Sequence, residues 1–190
     1  LLMFRIPSAL VLLFCAGAFS LSSSAKIEHL LPRPQQLTKQ TGHFALQRAL
    51  RLDDPTNTPL LRKVLTDHGA TFSESSAATV HVVMDKSLNT FDYPLAGFGN
   101  EGYRLDISPN KITITVAEPI GVVRAAQTLR QLALGTEGSP QVEALTLTDF
   151  PAFKVRGVMH DVGRSFIDIE ELKRQIDLLA QFKVMSFIGI

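Results

Sequence analysis

Residues 155–190 read VRGVMHDVGRSFIDIEELKRQIDLLAQFKVMSFIGI, and the order of elements in this stretch decides the fold. Val155, Val158 and Met159 make residues 155–161 a short, mostly apolar strand, of the kind covered on both faces. Residues 162–167, with Gly163 and Arg164, read as a loop. Asp168 then stands three residues before Glu171, a side-chain pair that satisfies the first free N–H groups of a helix and fixes its start near Ile169. Leu172, Ile176 and Leu179 recur at helical spacing, with Glu170, Lys173, Arg174, Asp177 and Gln181 largely on the other side. An apolar run over 184–190 follows after almost no loop. Strand, helix, strand with so short a return predicts a crossover between parallel strands. One such unit cannot close a fold.

Upstream the pattern is different. Leu31-Pro32-Arg33-Pro34 is an extended lead-in, since each proline disfavours helix in the residue before it. Phe44, Leu46 and Leu50 suggest a strand within 42–52, broken by Asp53-Asp54-Pro55. Residues 58–68 form a short helix with Thr58 as cap, Pro59 in the first turn and Gly69 past the end. Residues 79–84, TVHVVM, are a β-branched strand. Tyr103, Leu105 and Ile107 alternate, Pro109-Asn110 turns, and Ile112, Ile114 and Val116 alternate again, which is a hairpin. Residues 122–134 then form a helix with a broad apolar face and Gly135 as its exit. Strands and helices without strict alternation predict an α+β domain over 26–140, an antiparallel sheet with helices, with 135–141 as linker.

The first residues read as a leader. Arg5 is the only charge in residues 1–25, residues 6–19 carry none, and Ser23-Ser24-Ala25 offers small residues at a cleavage position. The mature start is placed at Lys26. Retention as an anchor is the alternative, but the uncharged run is shorter than the roughly 20 residues of a spanning helix, so no stable membrane span is expected. A lipid anchor at Cys15 is a minor alternative, because Phe14 stands where such sites need a small residue. Cys15 is also the only cysteine, which leaves the mature chain without disulfides or a thiolate metal site. The formal charge of +1 becomes 0 without Arg5, so there is no basic footprint for nucleic acid. No Asn-x-Ser/Thr acceptor occurs. These features predict an exported protein, periplasmic or extracellular, of a bacterial envelope.

Arg156-Gly157, Asp161 and Arg164, the acid-capped helix and Lys183 together resemble the opening of the catalytic barrel of family 20 glycoside hydrolases, the β-N-acetylhexosaminidases. Glu101-Gly102-Tyr103 and residues 127–132, QTLRQL, resemble the hairpin and helix of the accessory domain that precedes that barrel, and Asp149-Phe150-Pro151 its entrance. The resemblance implies an α+β accessory domain over 26–140, followed in 141–190 by a linker and the first βαβ unit of a truncated (β/α)8 TIM barrel. It also implies hydrolysis of terminal N-acetylglucosamine or N-acetylgalactosamine from a glycan. The substrate's own acetamido oxygen acts as nucleophile, and no cofactor or metal takes part. The chain departs from the family at its second strand, where 183–190 read KVMSFIGI in place of Lys-x-Asn followed by His-Trp-His. A non-enzymatic carbohydrate-binding or surface protein, and another glycoside hydrolase sharing the accessory domain, stay open as alternatives.

Arg164 is the candidate substrate-binding residue. It lies just past the C-terminal end of the first barrel strand, and its forked donors suit adjacent sugar hydroxyls. Asp161 is a supporting residue that either orients Arg164 or satisfies loop amides. Arg156 and Gly157, at the strand's start, read as structural, and Gly157 as permitting close packing. His160 reads as a packing histidine, since adjacent strand residues face opposite ways. Asp149 reads as a turn cap, and Glu170-Glu171 as complement to a helix N-terminus. The other histidines are dispersed, with no metal-site spacing. No catalytic residue is expected within the 190, because the family's Asp-Glu pair belongs to a later strand. The fragment alone is therefore expected to be inactive.

Overall fold

The computed structural model describes residues 30–90, 99–133, 140–153, 155–164 and 166–189. The leader over 1–25, its cleavage site and Cys15 lie outside the described residues, as does most of the expected 135–141 linker. Among the described residues no helix is long and apolar enough to cross a membrane.

The first part is a seven-stranded sheet built from β1 (Gln36–Ala45), β2 (Ala49–Asp53), β3 (Thr71–Phe72), β4 (Thr79–Met84), β5 (Tyr103–Ser108), β6 (Lys111–Val116) and β7 (Gln141–Asp149). Their spatial order is β1-β7-β5-β6-β4-β2-β3. Two helices, α1 (Pro59–Asp67) and α2 (Pro119–Ala133), complete it. The expected hairpin is present, with Tyr103 opposite Val116 and Ser108 opposite Lys111.

Two expectations need correction. The sheet is mixed rather than antiparallel, because β2 runs parallel to β3 and to β4, and β4 parallel to β6. The helix predicted over 58–68 supplies the reason: α1 carries the chain from β2 towards β4, and a crossover returns the next strand in the same direction. The single strand expected over 42–52 is two strands that turn at Leu46–Arg48, where Arg48 N–H donates to Leu46 O. The pairing of β1 with β7 is irregular between Lys39 and His43, where Gly42 adopts a φ of 112°.

Residues 141–149, placed with the linker and barrel start, are β7, paired on both edges in the middle of the sheet. Val142, Leu145 and Leu147 are buried, while Thr146 and Thr148 face outwards. The alternation over 145–149 is the sequence pattern of a half-buried strand.

The core lies between the sheet and its helices. Leu61, Val64 and Leu65 of α1, and Val122, Ala125, Ala126 and Leu129 of α2, are buried in one cluster with Val80, Leu105, Ile107, Ile112, Ile114 and Leu147. The other face is polar, presenting Arg104, Asp106, Thr113, Thr115, Thr146 and Thr148 at partial or full exposure.

After residues 150–156 come β8 (Gly157–His160), α3 (Ile169–Gln181) and β9 (Ser186–Gly189). β8 and β9 pair in parallel, Gly157 opposite Ser186 through His160 opposite Gly189, as the strand-helix-strand order predicts. Asp168 accepts from Glu171 N–H at 2.8 Å, so α3 starts at its sequence-predicted cap. This unit has almost no core of its own. No residue of α3 is buried, and Met159 and Ile188 remain 66% and 55% exposed on strands whose apolar composition suits cover on both faces.

Candidate functional site

The two ends of β8 carry different chemistry. At the C-terminal end, Asp161 Oδ1 accepts from the N–H groups of Gly163 (3.0 Å) and Arg164 (3.2 Å), a tight turn closed by an Asx-type contact. Its Oδ2 lies 3.0 Å from Arg164 Nε. One oxygen of Asp161 thus meets the loop amides and the other the guanidinium. Arg164 is 89% exposed at its side chain, and among the described residues nothing else holds it. Among the described residues no hydrogen bond engages Nη1 or Nη2, which leaves their four N–H groups for a ligand.

His160, next in the strand, sets its ring 6.5 Å from that of Phe187 on β9, which agrees with a packing role. Gly157 permits close approach of the strands, since a Cβ there would lie 2.9 Å from Ser186 Oγ and 3.2 Å from Ser186 O. Three acidic residues of this unit are engaged elsewhere. Asp168 caps α3, while Glu170 and Glu171 pair with Lys173 and Arg174 on its surface.

At the opposite, N-terminal end of β8 lies a buried ionic cluster. Glu101 Oε2 accepts from Arg124 Nε on α2 at 2.7 Å and from Arg156 Nη2 at 2.6 Å. Arg156 spends its other donors on backbone, Nε to Lys183 O at 3.1 Å and Nη1 to Phe153 O at 2.8 Å. Beside this, Lys183 Nζ donates to Asp149 Oδ2 at 2.6 Å and to Tyr103 Oη at 3.0 Å. The Tyr103 hydroxyl donates to the same Asp149 oxygen at 3.0 Å and meets Thr128 Oγ1 at 2.6 Å.

Asp149 is thus not a turn cap but the buried counter-charge of Lys183. The correction has a physical cause: β7 runs to Asp149 itself and turns its carboxylate inwards, where it must be paired. Lys183 adopts a φ of 62° directly after α3, and Val184 N–H closes on Leu179 O, a helix exit more often made by glycine. Burial, reinforced by the Asp149 carboxylate, holds the Tyr103 phenol well above the usual phenol range. Burial also draws the Lys183 ammonium below the usual lysine range, against the opposing pull of Asp149.

A cleft of about 170 Å³ opens over this cluster, walled by Pro32, Phe150, Pro151 and Phe153. Both carboxylates at its floor are held by cations at close range, so neither is placed to exchange protons with a substrate. Among the described residues no group of three or more His, Cys, Asp and Glu stands close enough to hold a metal ion. Sequence reasoning singled out Arg156, Lys183 and Asp149 by motif but missed what joins them, since Glu101 lies 55 residues from Arg156 along the chain.

Comparison with known proteins points to one family. Residues 28–150 match the model for glycosyl hydrolase family 20, domain 2, and residues 153–187 that for the family's catalytic domain. A β-N-acetylhexosaminidase of Cellulomonas fimi is 41% identical over 88 residues, 45% of this chain and 18% of its own length. A β-hexosaminidase of Vibrio furnissii is 27% identical over 161 residues, 83% of this chain and 25% of its own. The chain therefore spans a quarter or less of the length of these relatives. The crystal structure of an exo-β-N-acetylglucosaminidase from Vibrio harveyi in complex with N-acetylglucosamine superposes with a TM-score of 0.68 at 24% identity. That match covers 88% of this chain and 26% of the other, and it shows a shared fold.

Proposed function

The chain belongs to glycosyl hydrolase family 20, and from that membership we propose that it is the N-terminal part of a β-N-acetylhexosaminidase that removes terminal N-acetylglucosamine or N-acetylgalactosamine from glycans. In this reading residues 30–149 are the accessory domain, and β8, α3 and β9 are the first unit of a (β/α)8 barrel. Barrel enzymes place their sites at the C-terminal ends of the strands. The observation that carries the reading is Arg164 at that end of β8, exposed, paired with Asp161 through Nε and with no other partner among the described residues.

The reaction proposed for the whole enzyme is substrate-assisted. The acetamido carbonyl oxygen attacks the anomeric carbon while a carboxylic acid protonates the departing oxygen, giving an oxazolinium ion. Water, deprotonated by the same carboxylate, then opens that ion with net retention. Arg164 contributes hydrogen bonds to hydroxyls of the terminal sugar, which fix the ring for in-line attack. In this reading the acid and the residue that orients the acetamido group belong to later strands of the barrel, and the carboxylates of Asp161, Asp168, Glu170 and Glu171 serve as turn, cap and ion-pair partners. Export by the leader over 1–25 belongs to the same proposal, which places the enzyme where glycans are met outside the cytoplasm.

Two measurements on the purified chain test this. A chromogenic N-acetylglucosaminide should not be hydrolysed by it, and turnover would overturn the assignment of the catalytic pair to other residues. In titrations with N-acetylglucosamine, the Gly163 and Arg164 amide resonances should shift, and Arg164→Gln should abolish the shift. A titration that moves neither amide removes Arg164 as a sugar contact.

A further inference from the structure

We propose that Arg156 and Lys183 are positioning residues that hold the starts of β8 and β9 against the accessory sheet, and so set where the Asp161–Arg164 loop stands at the other end of the unit. Among the described residues, few apolar contacts join the strand-helix-strand unit to the accessory sheet. No residue of α3 is buried, Val158 and Met159 of β8 are exposed, and a groove of about 560 Å³ separates the flank of α3 from α1 and α2. The bonds that cross to the accessory domain are polar, and they gather at one end. Arg156 reaches Glu101, and Lys183 reaches Asp149 and Tyr103. The amides of Gln127 and Gln131 donate to Ala180 O and Gln181 O, the last carbonyls of α3.

Arg156 also donates to Lys183 O, so the residue before β8 and the residue that follows the C-cap of α3 are tied to each other as well as to the sheet. A buried polar joint of this kind adds little net stability, since desolvation offsets most of the attraction, but it is satisfied in one geometry only. Orientation, more than affinity, is what it supplies. The hold stands on this geometry, and only its bearing on sugar binding rests on the family 20 reading.

The test is a distance measurement on the full chain. Nitroxide labels are placed at Phe166→Cys, on the Arg164 loop, and at Lys111→Cys, at the exposed start of β6, in a Cys15→Ser background. The parent should give one narrow distance distribution. Arg156→Gln, which leaves Glu101 paired with Arg124, and Lys183→Met with Asp149→Asn, which removes both charges together, should each broaden it about twofold. Amide exchange in β8, α3 and β9 should rise about tenfold, with the urea midpoint of the seven-stranded sheet unchanged. Widths equal to the parent's overturn the proposal. A broadening matched by loss of the sheet's urea midpoint also overturns it, because the residues would then be general stabilisers rather than positioning groups. The measurement involves no sugar, so a failed sugar titration and a failed distance experiment are told apart.

Discussion

Replacing Glu101 by Gln removes one charge and leaves two guanidinium groups in a buried site. Glu101 and Arg124 are each 9% exposed at their side chains and Arg156 is 16% exposed, so solvent cannot take over the lost interaction. Breaking a buried ion pair by removing one partner costs about 3–5 kcal/mol, because the other charge stays desolvated. Gln still offers one acceptor oxygen, which places Glu101→Gln near the lower bound, at about 3 kcal/mol. A chain of this size loses about 2–4 °C of melting midpoint per kcal/mol, so the midpoint should fall by about 6–12 °C. Circular dichroism melts and urea titrations of the purified chain measure this directly. A second variant, Glu101→Gln with Arg124→Met, removes the more buried cation too and should recover part of the loss. A cost for Glu101→Gln below about 1 kcal/mol, the range of exposed ion pairs, would refute the argument that this cluster is desolvated.

Stability should fall as the pH is raised above about 10, because the unfolded phenol of Tyr103 loses its proton there while the folded one, held well above the usual range, keeps it. The unfolded state then binds fewer protons, and urea midpoints compared at pH 9 and 11 should show a decline that Tyr103→Phe reduces. Gly157→Ala should part β8 from β9, since its methyl would meet Ser186 Oγ at 2.9 Å, at a local cost of about 1–3 kcal/mol seen as faster amide exchange in both strands. Arg164→Gln should leave the unfolding free energy within about 0.5 kcal/mol of the parent, because its pair with Asp161 is exposed, while abolishing the sugar-induced shifts. Asp168→Ala should cost α3 about 1 kcal/mol by removing the cap on Glu171 N–H, read as increased exchange confined to that helix.

What the sequence determined alone was local. The hairpin over 103–116, the cap at Asp168, the parallel pairing of β8 with β9 and the turn around Asp161 each depend on residues near in the chain, where periodicity and turn chemistry act directly. The family motif at Arg156, Gly157, Asp161 and Arg164 was legible for the same reason. The tertiary structure decided what depends on distant partners. It made 141–149 an interior strand, because its neighbours β1 and β5 lie far back in sequence. It also turned Asp149, Lys183, Glu101 and Arg156 into one buried joint across separations of 34 and 55 residues. Sequence spacing carries no record of such a joint, since a charge shows its need for a partner only once the fold has taken it out of water. Residues 155–189 are thus recognisable by motif, but what holds them in place belongs to the sheet beneath them.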